Sequence, residues 1–241
     1  MHILYLVNDP TSPAGTLREE AERLGAASTI LYTAPGMMGE QVEISGIPDS
    51  TSGYDGLVVL GGGMSTYEND KYPFLARIRS LIRQFHEEEK PVMGVCLGGQ
   101  LISESFGGTV RKLETGGEWG FLPQTWLDGA HTDPLMHDAP QGLKIIQWHG
   151  DTFTFPEISV PLSTRENCPG QAFRVGEKTY GFQFHLEVTR PILDQWMIAR
   201  SILFKRTLED VKAEIEPQAA EALALQQAFA RRTMQRWLEL A

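Results

Sequence analysis

Gly94-Val95-Cys96-Leu97-Gly98-Gly99-Gln100 decides the fold. The apolar run 91–95 reads as a short buried strand, and residues 100–106 suit a helix. A strand that turns sharply into a helix presents the central residue of the turn at the carboxyl edge of a sheet, and small neighbours keep that side chain accessible. Cys96 would then also stand at a helix N-terminus, where unpaired N–H groups and the helix dipole favour a thiolate. A lone cysteine is more often a buried packing residue. Three glycines within the same seven residues are poor packing material, so the stretch reads as a nucleophile elbow.

Moving outward from the elbow, strands alternate with helices. Residues 2–7, 28–32 and 57–60 read as strands, and 16–24 as a helix that stops at Gly25. In 74–89, Leu75, Ile78, Leu81, Ile82 and Phe85 recur at helical spacing. Alternation of this kind predicts a parallel sheet that binds ligands at the strands' carboxyl ends. Residues 34–53 are rich in turn formers. The segment 110–160 changes character, and its short alternating runs at 121–127 and 144–148 suggest an antiparallel addition to the sheet. Strands at 171–175 and 179–184 and a helix at 191–204 follow.

Two further stretches carry chemistry. Gly181-Phe182-Gln183-Phe184-His185-Leu186-Glu187-Val188 reads as a strand ending in a histidine and a glutamate two residues apart. In extended chain, residues i and i+2 share a face, so the Glu187 carboxylate can orient the His185 imidazole. A thiol nucleophile needs a base to take its proton and an acid for the leaving group, and histidine serves as both. With Cys96 these residues complete a nucleophile–base–orienter set. The second stretch, Gly61-Gly62-Gly63 after the strand at 57–60, lets backbone N–H groups approach a ligand, as an oxyanion site requires. A dinucleotide or phosphate loop is the competing reading, but no G-x-G-x-x-G opens a helix here and no Walker motif occurs.

These three stretches, in this order, resemble the class I (triad-type) glutamine amidotransferases, in particular stand-alone members similar to the amidotransferase half of GMP synthase. Glu118-Trp119-Gly120 and Trp148-His149-Gly150-Asp151-Thr152-Phe153 also resemble stretches of that family. The likeness covers about residues 1–200 and includes one departure, Leu186, where the family has proline between the catalytic His and Glu. The resemblance implies a flavodoxin-like α/β fold: a mostly parallel sheet flanked by helices, with an antiparallel addition and a C-terminal helical extension. It also implies Cys96, His185 and Glu187 as the triad, with backbone N–H groups of Gly62, Gly63 and Leu97 stabilising the oxyanion. Gln100, Glu118 and Trp119 would bind substrate, and the reaction would be hydrolysis of glutamine to glutamate and ammonia through a γ-glutamyl thioester. A γ-glutamyl amine or peptide hydrolase would use the same triad, and a catalytically silent binding module on the same fold is the alternative from another class.

With 41% hydrophobic and 22% charged residues, the 241-residue chain suits a large soluble α/β domain. A net charge of −10 argues against a nucleic-acid partner and offers no attraction to a membrane surface. No apolar run reaches the roughly 20 residues of a membrane span. No secretory signal is visible at the N-terminus, and with Cys96 and Cys168 the only cysteines, a reducing cytoplasm is the expected compartment. No CxxC, HExxH or paired-histidine spacing indicates a metal, and no cofactor is expected. The expected partners are glutamine or a γ-glutamyl compound, with a separate synthase or a second copy of the chain also considered.

The expected organisation is an amidotransferase domain at 1–206 and a helical extension at 207–241. In the extension, 208–215 reads as a short helix, and Pro217 suits the first position of a longer one. Leu223, Phe229, Met234, Trp237 and Leu238 could form a stripe that packs back on the domain or forms an interface. No catalytic motif lies in this tail, so the triad chemistry is expected to survive its removal.

Overall fold

The computed structural model describes residues 1–36 and 39–241; Met37 and Met38, within the turn-rich 34–53 stretch, lie outside the described residues. In chain order the elements are β1 (His2–Val7), α1 (Gly15–Arg23), β2 (Ala27–Tyr32), β3 (Gly56–Val59), α2 (Phe74–Glu87), β4 (Val92–Val95) and α3 (Leu97–Ser105). Five short strands follow: β5 (Val110–Lys112), β6 (Glu118–Pro123), β7 (Thr125–Trp126), β8 (Lys144–His149) and β9 (Asp151–Phe153). The chain ends with β10 (Ser159–Thr164), β11 (Ala172–Val175), β12 (Thr179–Phe182), α4 (Arg190–Leu203) and α5 (Leu208–Leu238).

Eight strands form one sheet in the order β2-β1-β3-β4-β12-β11-β10-β7. The pairs from β2 through β12 are parallel, and those from β12 to β7 are antiparallel. Part of the expected antiparallel addition lies apart from this sheet. Among the described residues, β6 pairs only with β8 and β5 only with β9, as two separate ribbons.

β1 shows how sequence alternation builds the two layers. Ile3, Tyr5 and Val7 face a core with α1 and α5, while Leu4 and Leu6 face one with α2 and α3. The spacing of Leu75, Ile78, Leu81, Ile82 and Phe85 puts all five on the buried face of α2. A third apolar cluster lies where α4 and α5 meet β6 and β8.

The C-terminal extension is one helix of 31 residues, capped by Thr207 Oγ1, which accepts from the Asp210 N–H at 3.0 Å. The expected break at Pro217 does not occur. A proline inside a helix costs about 3 kcal/mol, but Val211 and Ile215 before it and Ala219 and Ala222 after it pack into the same apolar cluster. Packing on both sides holds the helix straight through the lost hydrogen bond. Farther along, Phe229, Met234 and Trp237 are buried in the core shared with β1 and α1, so the chain covers this stripe itself. Among the described residues no helix is long and apolar enough to cross a membrane.

Candidate active site

β4 ends at Val95 and α3 begins at Leu97, so the chain reverses at Cys96 alone. Its backbone has φ 52° and ψ −109°, a conformation that L residues with side chains rarely adopt and that stores strain at functional sites. Two glycines permit this turn by close approach. A Cβ on Gly98 would stand 2.0 Å from the Val59 carbonyl oxygen, and one on Gly99 would stand 2.4 Å from that of Phe182. Helix α3 is therefore pressed against β3 and β12. The elbow is pinned by the Cys96 N–H, which donates to the Phe182 carbonyl at 2.7 Å.

The glycine loop after β3 lies against this turn. A Cβ on Gly61 would meet the His185 ring at 3.2 Å and the Cys96 Cβ at 3.7 Å, and one on Gly62 would meet Leu97 at 2.9 Å. A side chain at Gly61 would thus press on the imidazole and touch the Cys96 side chain. Asn8 holds the loop, donating to the Leu60 carbonyl at 2.8 Å while accepting from Thr33. Leu97 opens α3, and its N–H has no acceptor within the helix.

His185 and Glu187 lie just past the end of β12, not on the strand as expected. The chain leaves the sheet after Phe182: the Gln183 N–H goes to Gln171, and the His185 N–H donates to the Ile146 carbonyl of β8 at 3.1 Å. The pair still meets. His185 Nδ1 donates to Glu187 Oε1 at 2.7 Å, with both side chains buried. Burial alone would lower the His185 pKa, but the Glu187 carboxylate and the charge on Cys96 outweigh it and push it up to about 10. The imidazolium is the form held facing Cys96.

Cys96, His185, Gly62, Gly63, Gln100 and Trp119 line one cleft of about 250 Å³. Gln100 donates to Gln183 Oε1 at 3.2 Å, and the Gln183 amide nitrogen stands 3.8 Å from the Cys96 sulfur. Glu118, expected to bind substrate, is not among the residues lining this cleft. It is buried behind the cleft wall, where Arg165 donates to it at 3.0 Å, Gln171 donates at 3.1 Å and His149 stands 3.3 Å away. Burial works against the carboxylate, yet His149 and Arg165 hold its pKa below the usual range. Glu118, His149 and Cys168 bring ligand-type atoms within 4.8 Å of one another. Arg165 pairs with the Glu118 carboxylate at 3.0 Å, and burial pushes the Cys168 thiol up to about 11.

Sequence reading also missed residues that shape the site. Gln226, on α5 and fully buried, donates to the His185 carbonyl at 2.9 Å and accepts from the Ile146 N–H at 2.8 Å. The available signal was a glutamine within the helical run Ala222, Gln226, Phe229, Ala230, Thr233, Met234 and Trp237, every member of which is buried. Trp196 on α4 packs edge-on against His185 with ring centroids 4.6 Å apart.

The model of the class-I glutamine amidotransferases matches residues 23–203. The chain is 29% identical over 192 residues to the glutamine amidotransferase-like protein YfeJ of Salmonella typhimurium, covering 78% of this chain and 77% of that protein. It is 30% identical over 145 residues to the glutamine-hydrolysing GMP synthase of Porphyromonas gingivalis, spanning 59% of this chain but only 26% of that one. The solved structure of a glutamine amidotransferase from Thermotoga maritima superposes with a TM-score of 0.83 at 26% identity, covering 99% of this chain and 98% of the other.

Proposed function

The chain belongs to the class-I glutamine amidotransferase family, and from that premise we propose that it hydrolyses the γ-amide of glutamine by covalent catalysis at Cys96. The Cys96 thiolate attacks the amide carbon, and the oxyanion is taken by backbone N–H groups of Gly62, Gly63 and Leu97. His185 gives its proton through Nε2 to the departing nitrogen, the C–N bond breaks, and a γ-glutamyl thioester remains. His185 then takes a proton from water as the water attacks the thioester; glutamate leaves and the Cys96 sulfur is released. Glu187 keeps the Nδ1 proton in place and orients the ring.

The observation that carries this reading is the meeting of three distant segments: the strained Cys96 turn, the His185–Glu187 pair, and the glycine loop touching both. Residues 1–206 act as the catalytic unit, and 207–241 as a helical extension that braces it. A synthase active site outside this cleft would use the released ammonia. Ammonia and glutamate release from purified protein given glutamine tests the reading. Cys96→Ala should abolish both products, and retention of most activity in that variant would refute it.

A further inference from the structure

Three tryptophans share the cleft with Cys96 and His185, a larger aromatic surface than a departing ammonia can contact. Trp196, Trp148 and Trp119 all line it, as does Leu203 at the end of α4. They form a continuous aromatic run starting at the catalytic base. Trp196 lies 4.6 Å from the His185 ring, Trp148 lies 5.5 Å from Trp196, Trp119 lies 5.6 Å from Trp148, and Phe204 lies 5.0 Å from Trp119.

The side of the scissile bond follows from the triad. Glu187 occupies His185 Nδ1, so the leaving nitrogen must collect its proton from Nε2. A substituent on that nitrogen therefore begins beside His185, where the indole wall begins. Gln100, Ser65 and Asp151 also line the cleft and offer polar groups to the glutamyl end.

The wall is held in place. Trp196 Nε1 donates to the Thr11 carbonyl at 2.8 Å. The Arg200 guanidinium stacks 5.4 Å from Trp148 and 5.8 Å from Trp119, anchored by Glu214 at 3.0 Å. Fixed indole rings next to a reacting bond suit flat apolar groups, and ammonia has no surface to match them.

Resting on the triad reading above, we propose that the cleft contains a leaving-group subsite walled by Trp196, Trp148, Trp119 and Leu203. Its substrates are γ-glutamyl amides of aromatic or bulky apolar amines. The cleft is smaller than the roughly 300–1,000 Å³ typical of drug-sized ligand sites, which limits the substituent to about one ring.

The test compares kcat/KM for glutamine, γ-glutamyl methylamide and γ-glutamyl benzylamide. The last two release alkyl amines, so ring size and not the aniline-type reactivity of the leaving group is compared. The benzylamide should exceed both others by about tenfold or more, the scale at which apolar pockets discriminate. Trp148→Ala should reduce that preference. Leu203→Asp, at a position 54% exposed where substitutions usually change stability little, should reduce it too. Hydrolysis of glutamine with equal or lower kcat/KM for the benzylamide overturns the subsite and leaves the proposed function standing. A benzylamide preference that survives both substitutions also overturns it, and hydrolysis of none of the three compounds overturns both readings.

Discussion

Replacing Gln226 by leucine tests whether α5 positions the catalytic base. Leucine is close to glutamine in volume but carries no polar atoms, so the change removes polarity and little bulk. Gln226 closes a clasp of three hydrogen bonds: its amide bonds the His185 carbonyl and the Ile146 N–H, and the His185 N–H bonds the Ile146 carbonyl. The leucine variant leaves one buried carbonyl and one buried N–H without partners. Each such loss costs about 1–3 kcal/mol, so the expected destabilisation is about 2–6 kcal/mol, a large share of the roughly 5–15 kcal/mol that holds a domain folded. Urea unfolding followed by circular dichroism reads this directly. The freed carbonyl belongs to the residue carrying the base, and a misplacement of about 1 Å can cost about a hundredfold in rate. In folded variant protein kcat should therefore fall about tenfold or more, with KM changed much less. A stability loss below about 0.5 kcal/mol with unchanged kcat would refute the reasoning.

Because His185 has a raised pKa in the folded protein, the imidazolium persists below that value and is lost as pH rises through about 10. The alkaline limb of kcat against pH should lie well above the ordinary histidine range of about 6.5, and Glu187→Gln should move it to lower pH; a limb that does not move would refute the pairing. Gly98→Ala places a methyl group 2.0 Å from the Val59 carbonyl oxygen; the helix must shift, so thermal melting and activity should both drop, and wild-type behaviour would show that the elbow is looser than described. Cutting the chain after Phe204 removes the helix that covers β6, β8 and α1. The triad chemistry expected from sequence to survive this cut should be lost with the fold, as light scattering and glutaminase assays would show. A soluble, active truncation would contradict the bracing role.

The elbow, the glycine loop and the His185–Glu187 pair were legible because each is local: small residues at a forced turn, or two side chains two residues apart. Helix α2 was legible through its periodicity. β10 was not among the strands expected from sequence; Pro161 within it sits at a register shift in the pairing with β11, where a proline is tolerated. The continuity of α5 through Pro217 depends on packing from distant strands that no local propensity records. Resemblance indicated the neighbourhood of Glu118, but only the pairing with Arg165 and Gln171 shows which way it faces. Gln226 belongs to no motif; its role exists only once α5 lies across β8.

The most direct test of the account is to quench the protein with acid during turnover of glutamine and map the modified peptide by mass spectrometry. A γ-glutamyl adduct should appear on the peptide containing Cys96 and be absent from Cys96→Ala protein. An adduct on another residue, or glutamate formed at an undiminished rate by the Cys96→Ala variant, would contradict it.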